Sequence, residues 1–132
     1  MADLIYEKES YDIRGACFAV YNALGGGIKE KIMERALIKE LTFRRLTIET
    51  QKRIDISYRD EKVGTYIPDI VVNDTIILEL KSKPFITTED KKQFWGYLKG
   101  SEYKLGFLIN FGPKKLTIER FASSFNKSAS IS

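Results

Sequence analysis

Residues 68–81 have the sequence PDIVVNDTIILELK, in which two apolar strands are joined by a tight turn at Asn73-Asp74. The second strand, predicted over residues 75–81, has the continuous apolar run of a strand that is covered on both faces of a sheet. Glu79 and Lys81 interrupt this run at its end, and alternation along a strand places both side chains on one face. Burying an unpaired charge is costly, so these two residues require charged partners or a ligand.

A third charge lies in the preceding strand, predicted over residues 63–72, where Asp69 follows Pro68. Because the Asn73-Asp74 turn joins the two strands, we expect Asp69 and Glu79 to be neighbours. Two converging carboxylates and a lysine suit a hard divalent cation and a phosphate group. The alternative is a structural ion pair between Glu79 and Lys81, with Asp69 at the surface.

The remaining chain alternates helical and strand periodicity around this stretch. Helices are predicted over residues 6–23 and 28–44, separated by three glycines at 25–27, and over residues 87–99. Further strands are predicted over residues 47–50, 54–58, 104–111 and 115–121, with a turn at 60–62. The order of helices and strands indicates a single α/β (α+β) domain over residues 1–122, followed by a serine-rich tail, 123–132, that we expect to be disordered.

Composition restricts the chemistry that such a domain can perform. The 132 residues include no histidine, which excludes Ser-His-Asp and Cys-His catalysis and zinc sites that use histidine. Cys17 is the single cysteine, so no intrachain disulfide can form. A net charge of +4 is compatible with a polyanionic partner. No apolar run is long enough for a membrane span and no signal peptide is evident, so we expect a cytoplasmic protein without membrane association.

Pro68-Asp69, followed by Glu79-Leu80-Lys81, resembles the motif of the PD-(D/E)xK nuclease superfamily. Gln93 and Tyr97, four residues apart on the predicted third helix, resemble the Q-x-x-x-Y motif of the exonuclease-related branch of that superfamily. The resemblance implies a restriction-endonuclease-like core with the order α-β-β-β-α-β, an extra N-terminal helix, and a mixed central sheet of about five strands flanked by helices.

The segment GIKEKIME, residues 27–34, is similar to the segment that names the GxxExxY proteins, a small bacterial and archaeal family within this superfamily. Gly27 and Glu30 match that pattern, whereas Met33 stands at the tyrosine position. Residues 106–111 also resemble the family. The similarity extends over residues 13–121, which is nearly the whole chain.

The resemblance also implies roles for individual residues. Asp69, Glu79 and the Leu80 backbone carbonyl would bind Mg²⁺ or Mn²⁺, and Lys81 would be catalytic. Glu30 would supply an accessory carboxylate from the second helix; Glu34, one turn further along the same face, is the competing candidate. Implied accessory or substrate-binding positions are Gln93 and Tyr97.

These observations lead to the hypothesis of a metal-dependent nuclease that hydrolyses phosphodiester bonds in DNA. A nucleic-acid-binding or protein-interaction module with weak or no catalysis remains an alternative, as does an enzyme that acts on RNA. The expected partner is nucleic acid, and whether the protein forms a homodimer stays open.

Overall fold

The computed structural model describes residues 5–123, which form ten helices and strands. The three helices are α1 (Glu7–Leu24), α2 (Glu30–Phe43) and α3 (Thr88–Gly100). The seven strands are β1 (Ile48–Glu49), β2 (Ile54–Tyr58), β3 (Glu61–Tyr66), β4 (Ile70–Val72), β5 (Ile76–Lys81), β6 (Leu105–Phe111) and β7 (Leu116–Ala122). The predicted serine-rich tail lies outside the described residues, apart from Ser123.

Five strands form a mixed sheet in the order β1-β4-β5-β6-β7. The pairing between β5 and β6 is parallel, because α3 carries the chain between them, and the other pairings are antiparallel. The apolar strands β5 and β6 therefore occupy the interior of the sheet, as their sequences predict. This mixed sheet with flanking helices confirms the restriction-endonuclease-like fold class.

Each face of the sheet is covered by a separate hydrophobic cluster. On one face, α1 and α2 cover Ile76, Leu78 and Leu80 of β5. On the opposite face, Phe94 and Leu98 of α3 pack with residues that include Ile77. Since side chains alternate along β5, Glu79 and Lys81 share the α3 face with Ile77.

The strand predicted over residues 63–72 is in fact two strands that belong to different sheets. β3 pairs with β2 in a hairpin, whereas β4 joins the main sheet. Pro68 lies between them and cannot donate a backbone hydrogen bond, so strand pairing is interrupted at this point. The predicted turn at residues 60–62 is also shifted, because Arg59 and Asp60 form the two-residue turn with φ of 51° and 64°.

The turn between β4 and β5 forms at Asn73 and Asp74 as predicted, with φ of 52° and 54°. The predicted cap of α3 is also present: the Thr87 hydroxyl accepts a hydrogen bond from the Asp90 N–H, and the Asp90 carboxylate accepts one from the Thr87 N–H. Among the helices of residues 5–123, none has the length and apolar character needed to cross a membrane.

Candidate active site

The pairing between β4 and β5 ends at the first residue of β4, and Asp69 lies immediately before that residue. Oδ2 of Asp69 accepts a hydrogen bond of 2.7 Å from the backbone N–H of Leu80. If β4 extended further towards Pro68, a backbone carbonyl would accept the hydrogen bond from the Leu80 N–H. The Asp69 side chain accepts this bond instead. In a β-strand, the N–H and C=O of one residue point to the same side. The Leu80 carbonyl therefore faces the same edge as the Asp69 carboxylate.

Glu79 and Lys81 reach the same region from β5. Both side chains are half-buried on the α3 face of the sheet, whereas Ile77 on the same face is packed in the hydrophobic cluster. The β2–β3 hairpin supplies a further group, because Tyr66 at the end of β3 donates a hydrogen bond of 2.5 Å to Oε1 of Glu79. The Tyr66 ring stacks on Tyr97 of α3, with 4.1 Å between the ring centroids and 11° between the planes. One oxygen of Glu79 is therefore held by a tyrosine that is itself fixed by packing.

The beginning of α2 brings Glu30 towards this group. The glycine turn allows the approach: Gly25 and Gly27 have φ of 77°, and a Cβ on Gly26 would lie 1.8 Å from the carbonyl oxygen of Gly112. Glycines are therefore required for the close contact between this turn and Gly112. The contact sets the position at which α2 begins, and with it the position of Glu30.

The three carboxylates affect one another electrostatically. Burial raises the pKa of Glu79 to about 7, and the negative charge of Asp69 adds to this shift. Burial likewise raises the pKa of Asp69, against the opposing effects of the Leu80 N–H and of Lys81. Glu30 is exposed at the beginning of α2, and its pKa is raised by partial desolvation and then by the charge of Asp69. A cluster that disfavours its own ionisation in this way is a site that a cation would stabilise.

Lys81 is a cation whose charge acts on all three carboxylates. Its positive charge lowers the pKa of Asp69, of Glu79 and of Glu30, in each case against a larger effect of burial. No ion pair within 4.0 Å joins Lys81 to a carboxylate among the described residues. The structural ion pair between Glu79 and Lys81 that the sequence allowed is therefore absent from the described chain.

Gln93 and Tyr97 lie beside Glu79 and Lys81. A cavity of about 20 Å³ is lined by side chains from β3, β5, β6 and α3, including Glu79, Lys81, Gln93 and Tyr97. This volume is sufficient for about one water molecule. Gln93 and Tyr97 therefore border the space next to the carboxylate and the lysine on which the proposed chemistry depends.

Glu34 occupies a different environment from Glu30. It lies on the inner side of α2, with 8% of its surface exposed, and its carboxylate is 3.7 Å from Nζ of Lys31. The pKa of Glu30 is affected by the charges of Asp69 and Lys81, and also by that of Glu34, while Lys31 lowers the pKa of Asp69. The electrostatic effect of Asp69 and Lys81 thus favours Glu30 as the helix carboxylate of the site, although both residues lie on the same helix face.

The donor groups fit a magnesium-like ion. Among residues 5–123, no cluster of three or more histidine, cysteine, aspartate or glutamate side chains is arranged to hold a metal. Mg²⁺ does not need such a cage, because it is usually bound by one or two carboxylates together with waters and substrate oxygens. Asp69 and Glu79 each have one oxygen that accepts no hydrogen bond from the described chain. These oxygens, with the Leu80 carbonyl, would hold the ion.

Tyr66 and the pair Lys83–Asp90 were not among the site residues predicted from sequence. Nζ of Lys83 is 2.7 Å from Oδ2 of Asp90, and Asp90 also lines the small cavity. The hydrogen bond from Lys83, and then that from the Thr87 N–H, lowers the pKa of Asp90 to about 2. A tyrosine in a hairpin strand and an acidic residue in a capping box are both ordinary in a sequence, so the sequence does not mark either position as part of a site.

Comparison with known protein families identifies the class of this protein. Residues 7–121 match the model of a family described as the PD-(D/E)XK nuclease superfamily. The chain belongs to this superfamily. A comparison with curated proteins gave no match.

Two crystal structures are similar to this chain in fold. One, of SSO0001, is 18% identical with a TM-score of 0.54; the alignment covers 98% of this chain but 65% of that chain. The other is an alkaline exonuclease (LHK-Exo) from Laribacter hongkongensis, 13% identical with a TM-score of 0.51, covering 92% of this chain and 74% of that one. The protein described here thus spans slightly less than two thirds of the length of SSO0001, and at these identities the similarity concerns the fold.

Proposed function

We propose that the protein is a Mg²⁺- or Mn²⁺-dependent nuclease that hydrolyses phosphodiester bonds in DNA. The observation that carries this proposal is the convergence of Asp69, Glu79 and Lys81 at the opening between β4 and β5. Membership of the PD-(D/E)XK superfamily supports it, because Asp69, Glu79 and Lys81 are the residue types that the motif in its name specifies.

The residues of the candidate site would have distinct parts in the reaction. Asp69, Glu79 and the Leu80 carbonyl would hold the ion, which would supply Lewis acidity and positive charge beside the scissile phosphate. Lys81 would hold a non-bridging phosphate oxygen or orient the attacking water. Glu30 would act as an accessory carboxylate, and Gln93 and Tyr97 would border the water and the substrate on the α3 side.

A narrower classification also follows from the resemblance in the sequence. Gly27 and Glu30 match the GxxExxY pattern, and the effect of the Asp69 charge on the pKa of Glu30 supports a role for this residue beside the site. Met33, at the tyrosine position of that pattern, is fully buried in the cluster under α1 and α2. We assign the protein to the GxxExxY group on this basis, with an apolar core residue in place of the phenol.

A cleavage assay tests the proposal directly. Purified protein is incubated with plasmid DNA, single-stranded DNA and RNA, each with Mg²⁺, with Mn²⁺ and with EDTA. We expect cleavage of DNA that requires the metal and is lost in Glu79→Gln. Preferential cleavage of RNA would change the assigned substrate. Metal-independent cleavage, or equal cleavage by Glu79→Gln, would contradict the assigned site. Binding of DNA without any cleavage would establish the binding-module alternative.

A further inference from the structure

A second concave site lies between α3 and the edge strand β7. Its volume is about 350 Å³, space for about twelve water molecules at the ~30 Å³ that each occupies in the liquid. The residues that line this groove are Lys91, Lys92, Trp95, Arg120, Phe121 and Ala122. We call it the α3–β7 groove. It shares no lining residue with the small cavity beside Glu79.

The groove carries an excess of positive charge. Three of its lining residues, Lys91, Lys92 and Arg120, are cationic. A fourth cation, Lys99, has its Nζ 5.2 Å from the centre of the Trp95 ring. The carboxylate that offsets this charge is Glu119, which lies 3.2 Å from Nζ of Lys91. Even with that ion pair, the surroundings favour an anionic ligand with more than one charge.

An aromatic surface lies among these cations. Trp95 is half-buried, and its ring is 6.0 Å from the ring of Phe121, which in turn packs edge-on against Phe94. The indole is therefore held in place by the core while part of it borders the groove. A supported aromatic ring surrounded by lysine and arginine is the arrangement that binds single-stranded nucleic acid, with bases on the ring and phosphates on the cations.

The groove and the small cavity beside Glu79 are both lined in part by residues of α3. Asp90 and Gln93 of α3 line the small cavity beside Glu79, whereas their neighbours Lys91 and Lys92 line the groove. A helix with its side chains is about 10–12 Å wide, which corresponds to about three nucleotides at the ~3.4 Å rise of a stacked strand. A strand whose scissile phosphate lies beside Glu79 and Lys81 would thus reach the groove a few nucleotides from the scissile bond.

We propose that the α3–β7 groove binds a single strand of nucleic acid, with one base stacked on Trp95 and its phosphates held by Lys92 and its neighbours. Because the groove would extend the candidate active site, this assignment rests on the proposed nuclease function. A base inside a duplex is covered by its neighbours on both faces, so it cannot stack on a tryptophan without leaving the helix. The substrate that fits is therefore single-stranded DNA, or the single-stranded end of a duplex.

The sequence provides an internal probe, because Trp95 is the single tryptophan of the chain. Titration with a twelve-nucleotide oligothymidylate in EDTA should quench tryptophan fluorescence to saturation, and a blunt duplex of equal length should quench it less. Lys92→Glu should weaken binding about five- to tenfold, the scale of one phosphate contact. Lys39→Glu is the matched control, because Lys39 is exposed on α2, on the opposite face of the sheet, and carries the same charge change.

A second variant tests the stacking itself by fluorescence anisotropy of a labelled oligonucleotide. Trp95→Leu keeps an apolar side chain against Phe121 but should lower affinity at least about fivefold, the low end for loss of one stacked base.

Unquenched fluorescence at saturating oligonucleotide, or equal affinities for Lys92→Glu and Lys39→Glu, would overturn the assignment. Metal-dependent cleavage with such a result would leave the nuclease proposal intact. Normal quenching without cleavage by any metal would refute the nuclease proposal and leave the strand-binding groove in place.

Discussion

The hydroxyl of Tyr66 donates a hydrogen bond of 2.5 Å to Oε1 of Glu79, and so connects the β2–β3 hairpin to the central strand β5. The stack of the Tyr66 ring on Tyr97 adds α3 to the same arrangement. Three separate parts of the fold thus determine where the Glu79 carboxylate points. Groups that orient a metal ligand in this way influence metal affinity without contacting the ion.

Tyr66→Phe should therefore weaken metal binding while preserving the fold. The ring and its stacking remain, but Glu79 loses the group that orients it, so we expect the affinity for Mn²⁺ to fall about tenfold or more. Isothermal titration calorimetry measures this effect. Tyr103→Phe is the matched control, since it also removes a phenol–carboxylate hydrogen bond, 2.9 Å long, but to Asp74 in the β4–β5 turn. Equal affinities in the two variants would contradict an orienting role for Tyr66.

Asp69 has two functions that different substitutions separate. Asp69→Asn keeps an oxygen that can accept the Leu80 N–H but removes the charge, so it should retain stability and lose metal binding. Asp69→Ala also leaves the Leu80 N–H without its acceptor, which costs about 1–3 kcal/mol if the group is buried. Urea unfolding in EDTA should thus show only the alanine variant destabilised. Equal destabilisation of both variants would mean that the charge, not the hydrogen bond, stabilises the fold.

The raised pKa of Glu79 predicts the pH dependence of stability in the metal-free protein. Below about pH 4.5 the side chain is protonated in both states. As the pH rises from 4.5 to about 7, the unfolded chain ionises while the folded protein retains the proton, so the free energy of unfolding falls. Glu79→Gln lacks this contribution.

The difference in unfolding free energy between the wild type and Glu79→Gln should therefore change by up to about 3 kcal/mol across this range, at ~1.4 kcal/mol per pKa unit. Chemical denaturation in EDTA at a series of pH values measures this difference. Asp69 and Glu30 are common to both proteins, so only the part of their titration that depends on the Glu79 charge enters this difference. A difference that is constant from pH 4 to pH 8 would show that Glu79 titrates normally in the folded state.

The site residues differ in how clearly the sequence indicates them. Glu79 and Lys81 are conspicuous because they interrupt an apolar strand, where a charge is costly unless it is used. Tyr66 gives no such signal, since tyrosine is ordinary in a half-buried strand and its contact with Glu79 depends on how the hairpin packs. Local sequence patterns thus predict charges on central strands but not the neighbours that a separate hairpin brings to them.

The same limit explains the strand that was predicted wrongly. Residues 63–72 have strand-like composition throughout, and Pro68 alone marks the interruption. Which side of that interruption pairs with β2 and which with β5 depends on long-range packing, not on propensity. The fold class was nevertheless predicted correctly, because the order of helices and strands and the resemblance of the motifs do not depend on these boundaries.

Lys81 should be required for cleavage but not for metal binding. Lys81→Ala removes a cation that stabilises charge near the phosphate, and we expect cleavage to fall about 100-fold or more, as when one donor to a developing charge is lost. Single-turnover cleavage at saturating Mg²⁺ and calorimetry with Mn²⁺ measure the two properties separately. The control is Lys62→Ala, on the β2–β3 hairpin, where the lysine pairs with Asp55. Unchanged cleavage in Lys81→Ala would exclude Lys81 from the reaction.

The choice between Glu30 and Glu34 decides how α2 takes part in the reaction. The two residues are one turn apart, so the sequence cannot separate them, but their surroundings differ. Partial desolvation and the charge of Asp69 raise the pKa of Glu30, so its carboxylate lies within electrostatic reach of the site. Glu34 is 92% covered and lies near Lys31 on the same helix.

Glu30→Gln should therefore lower metal-dependent cleavage by about 10- to 100-fold, the range for groups that support a metal centre, and leave the unfolding free energy nearly unchanged. Glu34→Gln should have the opposite profile, with cleavage retained and stability reduced, because its carboxylate is buried beside Lys31 and not at the phosphate. Single-turnover rates and urea unfolding on the same preparations separate the two effects. If Glu34→Gln loses cleavage at full stability while Glu30→Gln cleaves normally, the accessory carboxylate is Glu34, and α2 must present its second turn to the substrate.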